Sequence, residues 1–251
     1  MATMWNSPAL VFILCFAGLL LAEYIGAAFR LRISPLGENQ RADFDLVLTS
    51  TLTLLGLIIG FTFSMAISRY DQRKNYEEEE ANAIGTTYLR AELLPQQDAA
   101  HVQVLLKNYL QQRIQFYTAL DREKASQINT ETATTQDQMW AAVRAPALAW
   151  PTPVSALVLS SMNDVINAEG YTQAAWWNRI PIPAWELMVI IAICCSLLIG
   201  YRSHQQRPIL FVVLPLAISI SFALIADIDS PRGGLIHVIP QNLISLASGL
   251  R

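Results

Sequence analysis

The 251-residue chain is 53% hydrophobic and only 15% charged, against roughly 25% charged in an average soluble domain, which places it among membrane proteins. A net charge of −3 with no basic stripe argues against a nucleic-acid binder. Cys15, Cys194 and Cys195 all lie in apolar runs, so they read as small buried side chains rather than a disulfide framework or a metal-ligand set.

In chain order, the first apolar run is Pro8–Phe29. It is too long for a signal-peptide core and lacks a basic leading segment and a clear cleavage site, so it reads as a retained membrane helix. A short turn, Arg30–Asp45, leads to the second span, Leu46–Ser68, which holds twenty-three residues without a charge. At ~1.5 Å per residue that run crosses a bilayer. The central segment of about 110 residues is helical by pattern. The second span continues outward as a long helix that Pro95 ends, with Ala81, Ile84 and Tyr88 on one face. Val102, Leu105, Leu106, Tyr109, Arg113, Phe116 and Leu120 then recur at three and four, as in an amphipathic helix. Glu123–Asp137, polar and rich in Thr, Ser and Asn, is expected to be a loop or linker.

Thr152-Pro153 looks like an N-cap with Pro at N1, opening a helix that aligns Val154, Leu157, Val158, Met162, Val165 and Ile166. The third span is Ile182–Tyr201, the turn Arg202–Arg207, and the fourth span Pro208–Ala226. Trp5, Tyr24, Tyr70, Trp176, Trp177, Trp185 and Tyr201 cluster near span ends, as interfacial aromatics do. The expected fold is an all-α integral membrane protein of four transmembrane helices, with a helical extramembrane domain between the second and third. Its parts are residues 1–68, 69–181, 182–227 and a tail, 228–251. Both short turns share one side of the membrane, and both termini and the domain the other. Flanking arginines and lysines tie at five against five, so charge does not orient the chain.

Several residues are candidates for chemistry. Gly56, Gly60 and Ser64 form a small-residue row that lets helix backbones approach, either within one chain or around an axis of several copies. Thr53, Leu57 and Phe61 form an adjacent stripe, which is ordinary lipid or core contact, or the neck of a pore gated by dewetting. Glu77-Glu78-Glu79-Glu80 points around the whole helix; Glu77 and Glu80 share a face suited to an ion vestibule, the rival being a solvated surface. Asp227 and Asp229 offer a cation clasp, although a turn held by Asp–Arg pairing and glycine flexibility is preferred. Glu23 and Glu186 lie near span ends, where they are expected to snorkel or pair with arginine. His101, His204 and His237 lack ligand spacing, and no Ser-His-Asp, Walker or dinucleotide pattern occurs. No enzyme activity and no cofactor are expected, and no metal is assigned.

Two stretches carry a resemblance: Glu80-Ala81-Asn82-Ala83 with Ile84-Gly85-Thr86-Thr87-Tyr88-Leu89-Arg90-Ala91-Glu92-Leu93-Leu94-Pro95, and Asp227-Ile228-Asp229-Ser230-Pro231-Arg232-Gly233-Gly234-Leu235-Ile236. They resemble the signature of the bestrophin-like bacterial membrane proteins, over about Thr53 to Leu246. More distantly, Gly60-Phe61-Thr62-Phe63-Ser64-Met65-Ala66-Ile67-Ser68-Arg69-Tyr70 is similar to the second helix of the bestrophins. That resemblance implies a pentameric channel whose helical domain, between the second and third spans, is cytoplasmic. Aligned on Gly60-Phe61, the family's neck positions fall on Thr53, Leu57 and Phe61.

The departures bear on selectivity. Thr53 replaces a large apolar neck residue, Tyr70-Asp71 replaces an aromatic pair, and Arg232 replaces an apolar residue after the fourth span. With Glu77–Glu80 nearby, an acidic collar would favour cations, so anion selectivity is not carried over. The leading expectation is a homo-oligomeric ion channel, pentameric on the resemblance, in the bacterial inner membrane, with the lipid bilayer and inorganic ions as partners. The alternative is a non-conducting scaffold or sensor whose cytosolic helices bind a partner.

Overall fold

The structure, a computed structural model, describes residues 7–32, 38–202 and 208–250. Trp5, His204 and Arg207 lie outside these. The helices are α1 (Pro8–Arg32), α2 (Glu38–Arg90), α3 (Gln96–Thr118), α4 (Arg122–Ala149), α5 (Pro153–Trp177), α6 (Ile182–Arg202), α7 (Pro208–Asp229) and α8 (Gln241–Gly249), and a 3-10 turn, Ala91–Leu93, follows α2. Among the described residues there is no strand. Four helical runs, containing α1, α2, α6 and α7, are long and apolar enough to cross a membrane. The chain is an all-α integral membrane protein.

It divides into two compact units. The first comprises Met1–Ser68 and Arg179–His237, the second Arg69–Asn178 and Val238–Arg251. In the first unit α1 packs on both α6 and α7. Leu19 and Ala22 of α1, Met188, Ala192 and Cys195 of α6, and Ile218, Phe222 and Ile225 of α7 are buried there. Trp185 meets Phe222 edge-on with ring centroids 6.2 Å apart. The closest approach uses two glycines outside the expected small-residue row. A Cβ at Gly26 would collide with the Leu197 carbonyl, and one at Gly200 with the Glu23 carbonyl, so α1 and α6 touch backbone to backbone.

The second unit has a continuous core to which Ile84, Leu106, Tyr109, Phe116, Ile128, Met139, Val143, Met162, Val165, Trp176 and Leu243 contribute. Phe116 packs on Trp176 at 4.8 Å between centroids and meets Tyr117 edge-on at 5.6 Å. Helix α5 starts with the expected cap, completed by a reciprocal bond: Ser155 N donates to Thr152 Oγ1 at 3.1 Å, and Thr152 N to Ser155 Oγ at 3.0 Å.

Three expectations need correction. Residues 38–45, expected in a turn, already belong to α2. Glu123–Asp137 is helix α4, not a loop. Asp121 caps it by accepting from Glu123 N at 3.1 Å, and Thr130, Thr134 and Thr135 bond back to carbonyls four residues earlier. The buried stripe Ala125, Ile128, Thr132, Thr135, Met139 and Val143 recurs at three and four, with threonines where the sequence reading sought large apolar residues. Third, the segment read as a tail holds α8, which contributes Leu243 to the helical core.

Candidate functional site

Helix α2 has two distinct faces. Leu55, Thr62, Ala66, Arg73, Glu77, Glu80, Ala81 and Ile84 are buried. Thr53, Gly56, Leu57, Gly60, Phe61, Ser64 and Ser68 are exposed, Leu57 by 53% and Phe61 by 66%. The Thr53 hydroxyl donates to the Thr49 carbonyl of its own helix at 2.8 Å, so no polar partner outside the helix is required. No atom lies within 4 Å of a Cβ built on Gly56 or Gly60. Among the described residues, then, nothing fills the small-residue row at these two glycines.

This exposed face differs from that of α6. There Leu187, Ile190, Ile193 and Cys194 are exposed, an apolar set suited to lipid. On α2 the large apolar side chains alternate with Thr53, Gly56, Gly60, Ser64 and Ser68, which lipid contact does not call for.

The glutamate run is split by helical phase. Glu78 and Glu79 are exposed, whereas Glu77 and Glu80 are buried and bonded within the second unit. Glu77 holds the start of α8: Asn242 N and Leu243 N each donate to its Oε1 at 3.0 Å, and Asn242 Nδ2 donates to Oε2 at 2.7 Å. A carboxylate there satisfies free amide hydrogens and complements the helix dipole. Gly85 makes room for the same helix, since its Cβ would meet Leu246 Cδ1 at 3.1 Å.

Glu80 ion-pairs with Arg113, both side chains being fully buried, and Glu169 lies 3.6 Å from Arg113 on its other side. Thr172 Oγ1 donates to Glu80 at 3.1 Å and the Tyr117 hydroxyl at 3.4 Å. Burial opposes the charge of Arg113, but the adjacent Glu80 outweighs it and holds the guanidinium above its ordinary pKa. Burial, reinforced by Glu80, pushes the Tyr109 and Tyr117 hydroxyls up. This network ties α2 to α3 and α5.

Asp227 and Asp229 are engaged with the chain itself. Leu235 N donates to Asp227 Oδ1 at 2.7 Å, and Ile180 N donates to Asp229 Oδ1 at 3.1 Å. Arg179 lies 4.0 Å from Asp229, and Gly233 N donates to the Ser230 hydroxyl at 3.0 Å. Gly234 has φ +97°, and a side chain there would strike Asp227, so glycine is required both conformationally and sterically. These bonds build the preferred turn. Among the described residues no group of three or more His, Cys, Asp or Glu side chains is placed to hold a metal ion.

Sequence reasoning missed the roles of Arg113, Glu169, Thr172 and α8. The signal that could have found Arg113 is that it is the one charged residue within an apolar helical stripe.

A family model of the bestrophin-like domain matches residues 24–243. No curated protein sequence matches. The fold is similar to that of a bacterial bestrophin homologue from Klebsiella pneumoniae, with TM-score 0.64 at 15% identity, covering 94% of this chain and 98% of that one. Two point variants of that homologue give TM-scores of 0.65 and 0.66, both at 15% identity, with coverage of 94% and 95% of this chain and 97% of each variant. With the family model spanning most of its length, the chain belongs to the bestrophin-like family.

Proposed function

We propose that this protein is a homo-oligomeric ion channel in which α2 lines the pore, Leu57 and Phe61 form the neck and Thr53 extends it. The observation that carries this reading is the exposed face of α2, where small and hydroxyl residues interleave with large apolar ones while the opposite face is buried. One copy cannot enclose a pore with a single exposed stripe, so several must close around an axis, and five is the number the family resemblance implies. The row Gly56, Gly60 and Ser64, unfilled within the chain, would pack between neighbouring copies. The helical unit would lie on the cytoplasmic side of a bacterial inner membrane.

Burial reassigns the charges that would face the ions: within the second unit Asp71, Asn75, Glu78 and Glu79 are exposed, whereas Glu77 and Glu80 are buried. Glu78 and Glu79, rather than the buried Glu77 and Glu80, are the acidic collar of this reading, and such a collar concentrates cations. Asp227 and Asp229 would brace the turn after the last span.

In liposomes containing the purified protein, L57A/F61A should raise ion flux, because truncation widens the neck. Unchanged flux through the folded double variant would rule out that neck. E78K/E79K should shift relative permeability toward anions.

A second reading, a non-conducting scaffold, draws on Leu148 and Trp150, which are 73% and 68% exposed on the helical unit. It requires a stably bound partner protein and no flux, and any flux that depends on α2 residues removes it.

A further inference from the structure

Glu23 lies past the middle of α1, fully buried, and among the described residues neither carboxylate oxygen has a hydrogen-bond partner. It neither snorkels nor pairs with arginine, as its sequence position had led one to expect. Arg30, one to two turns further along, is used elsewhere and donates to the carbonyls of Tyr201 at 3.3 Å and Arg202 at 2.6 Å. Glu186, the other candidate, is exposed at the start of α6.

What faces Glu23 follows from the helix register. Glu23 abuts Gly200, Gly26 abuts Leu197 and Tyr201, and Arg30 reaches Tyr201 and Arg202, so α1 and α6 run parallel. Ser196 precedes Gly200 by one turn on the same stripe of α6. Its hydroxyl is also fully buried and, among the described residues, without a partner. Helical side chains lean toward the N-terminus, which directs the Glu23 carboxyl group back toward the level of Ser196.

Three buried oxygens on two helices packed backbone to backbone need a donor or a positive charge. Among the described residues, the charged groups of the neighbouring elements are engaged or remote. Arg202 pairs with Asp45, Asp227 and Asp229 hold backbone amides at the far end of α7, and Glu186 is exposed. Of the other titratable groups, Tyr201 packs its ring on Phe44, Tyr24 is exposed, and Cys15, Cys194 and Cys195 are free thiols.

We propose that Glu23 and Ser196 form an intramembrane cation site between α1 and α6 that takes a proton or a small alkali cation. The two occupants share one chemistry, neutralisation of a buried carboxylate, and ionisable groups at such depth are costly unless occupied in this way. The site does not depend on the pore reading, and its test measures no flux.

The test is thermal unfolding of the full-length protein in lipid nanodiscs, in sodium, potassium or choline chloride at equal ionic strength, each through a pH series. An alkali occupant raises the wild-type midpoint by several degrees in sodium or potassium over choline. A proton makes the midpoint pH-dependent in choline alone. In either case E23Q, which keeps the shape and removes the charge, abolishes the dependence, and S196A weakens it. Wild type and E23Q moving in parallel in every medium would overturn the proposal. If E23Q does not fold, infrared spectra of the wild type decide. A protonated carboxyl band at neutral pH, or a carboxylate band that shifts between sodium and choline, supports the site; a carboxylate indifferent to both overturns it.

Discussion

Glu77 and Glu80 differ from Glu78 and Glu79 only in helical phase, yet the first two are buried in the helical unit and the second two face outward. The run alone says that four carboxylates circle the helix; which of them turn inward depends on Arg113, thirty-three residues away, and on Asn242 and Leu243 near the other end of the chain. No local pattern contains those partners, so the division was not legible in sequence. It has distinct energetic consequences. E80A leaves the Arg113 guanidinium buried without its main partner and should cost about 3–5 kcal/mol in chemical unfolding. E78A, on an exposed face, should stay within about 0.5 kcal/mol of wild type.

The tyrosines of the same network set a pH limit. Their folded-state pKa values lie above the ordinary value of about 10, so an unfolded chain releases these protons first as pH rises. The stabilising contribution is complete below that ordinary value and is lost above it. An alkaline titration should show the ultraviolet tyrosinate signal of Tyr109 and Tyr117 appearing together with loss of helicity. Both ionising in a fully helical protein would contradict their burial.

Among the elements, the apolar spans and the capped start of α5 could be read directly, because length without charge and an N-cap before proline are local signals. Helix α4 could not, since its buried stripe runs through Ala125, Thr132 and Thr135, residues whose hydroxyls and small size imitate a linker. Helix α8 was missed because nine residues are too few to form a stable helix alone; its place is given by Glu77 and by the seat at Gly85. E77A should therefore release it, speeding hydrogen exchange at Asn242 and Leu243 while the α3 amides stay protected. Equal protection in the variant would show that apolar packing alone holds α8. The glycines separate in the same way. G26L or G200L should prevent α1 and α6 from packing and lower the yield of folded protein, whereas G56L should leave the chain folded and act only on assembly.

For the whole molecule, four apolar runs and a helical segment of about 110 residues were enough to place the chain among helical membrane proteins, and the family match covers residues 24–243. Function is less visible, because a pore is a property of several copies and one sequence records only the surfaces that would meet. In the proposed channel that role falls to the exposed stripe of Thr53, Leu57 and Phe61 and to the row of Gly56, Gly60 and Ser64, whose two glycines meet nothing among the described residues. Native mass spectrometry of the protein in mild detergent counts the copies directly. A closed ring, five copies by family resemblance, is the expected result and would place the α2 stripes around a shared axis. A monomer or dimer that persists across detergents would leave that stripe facing lipid and contradict the channel.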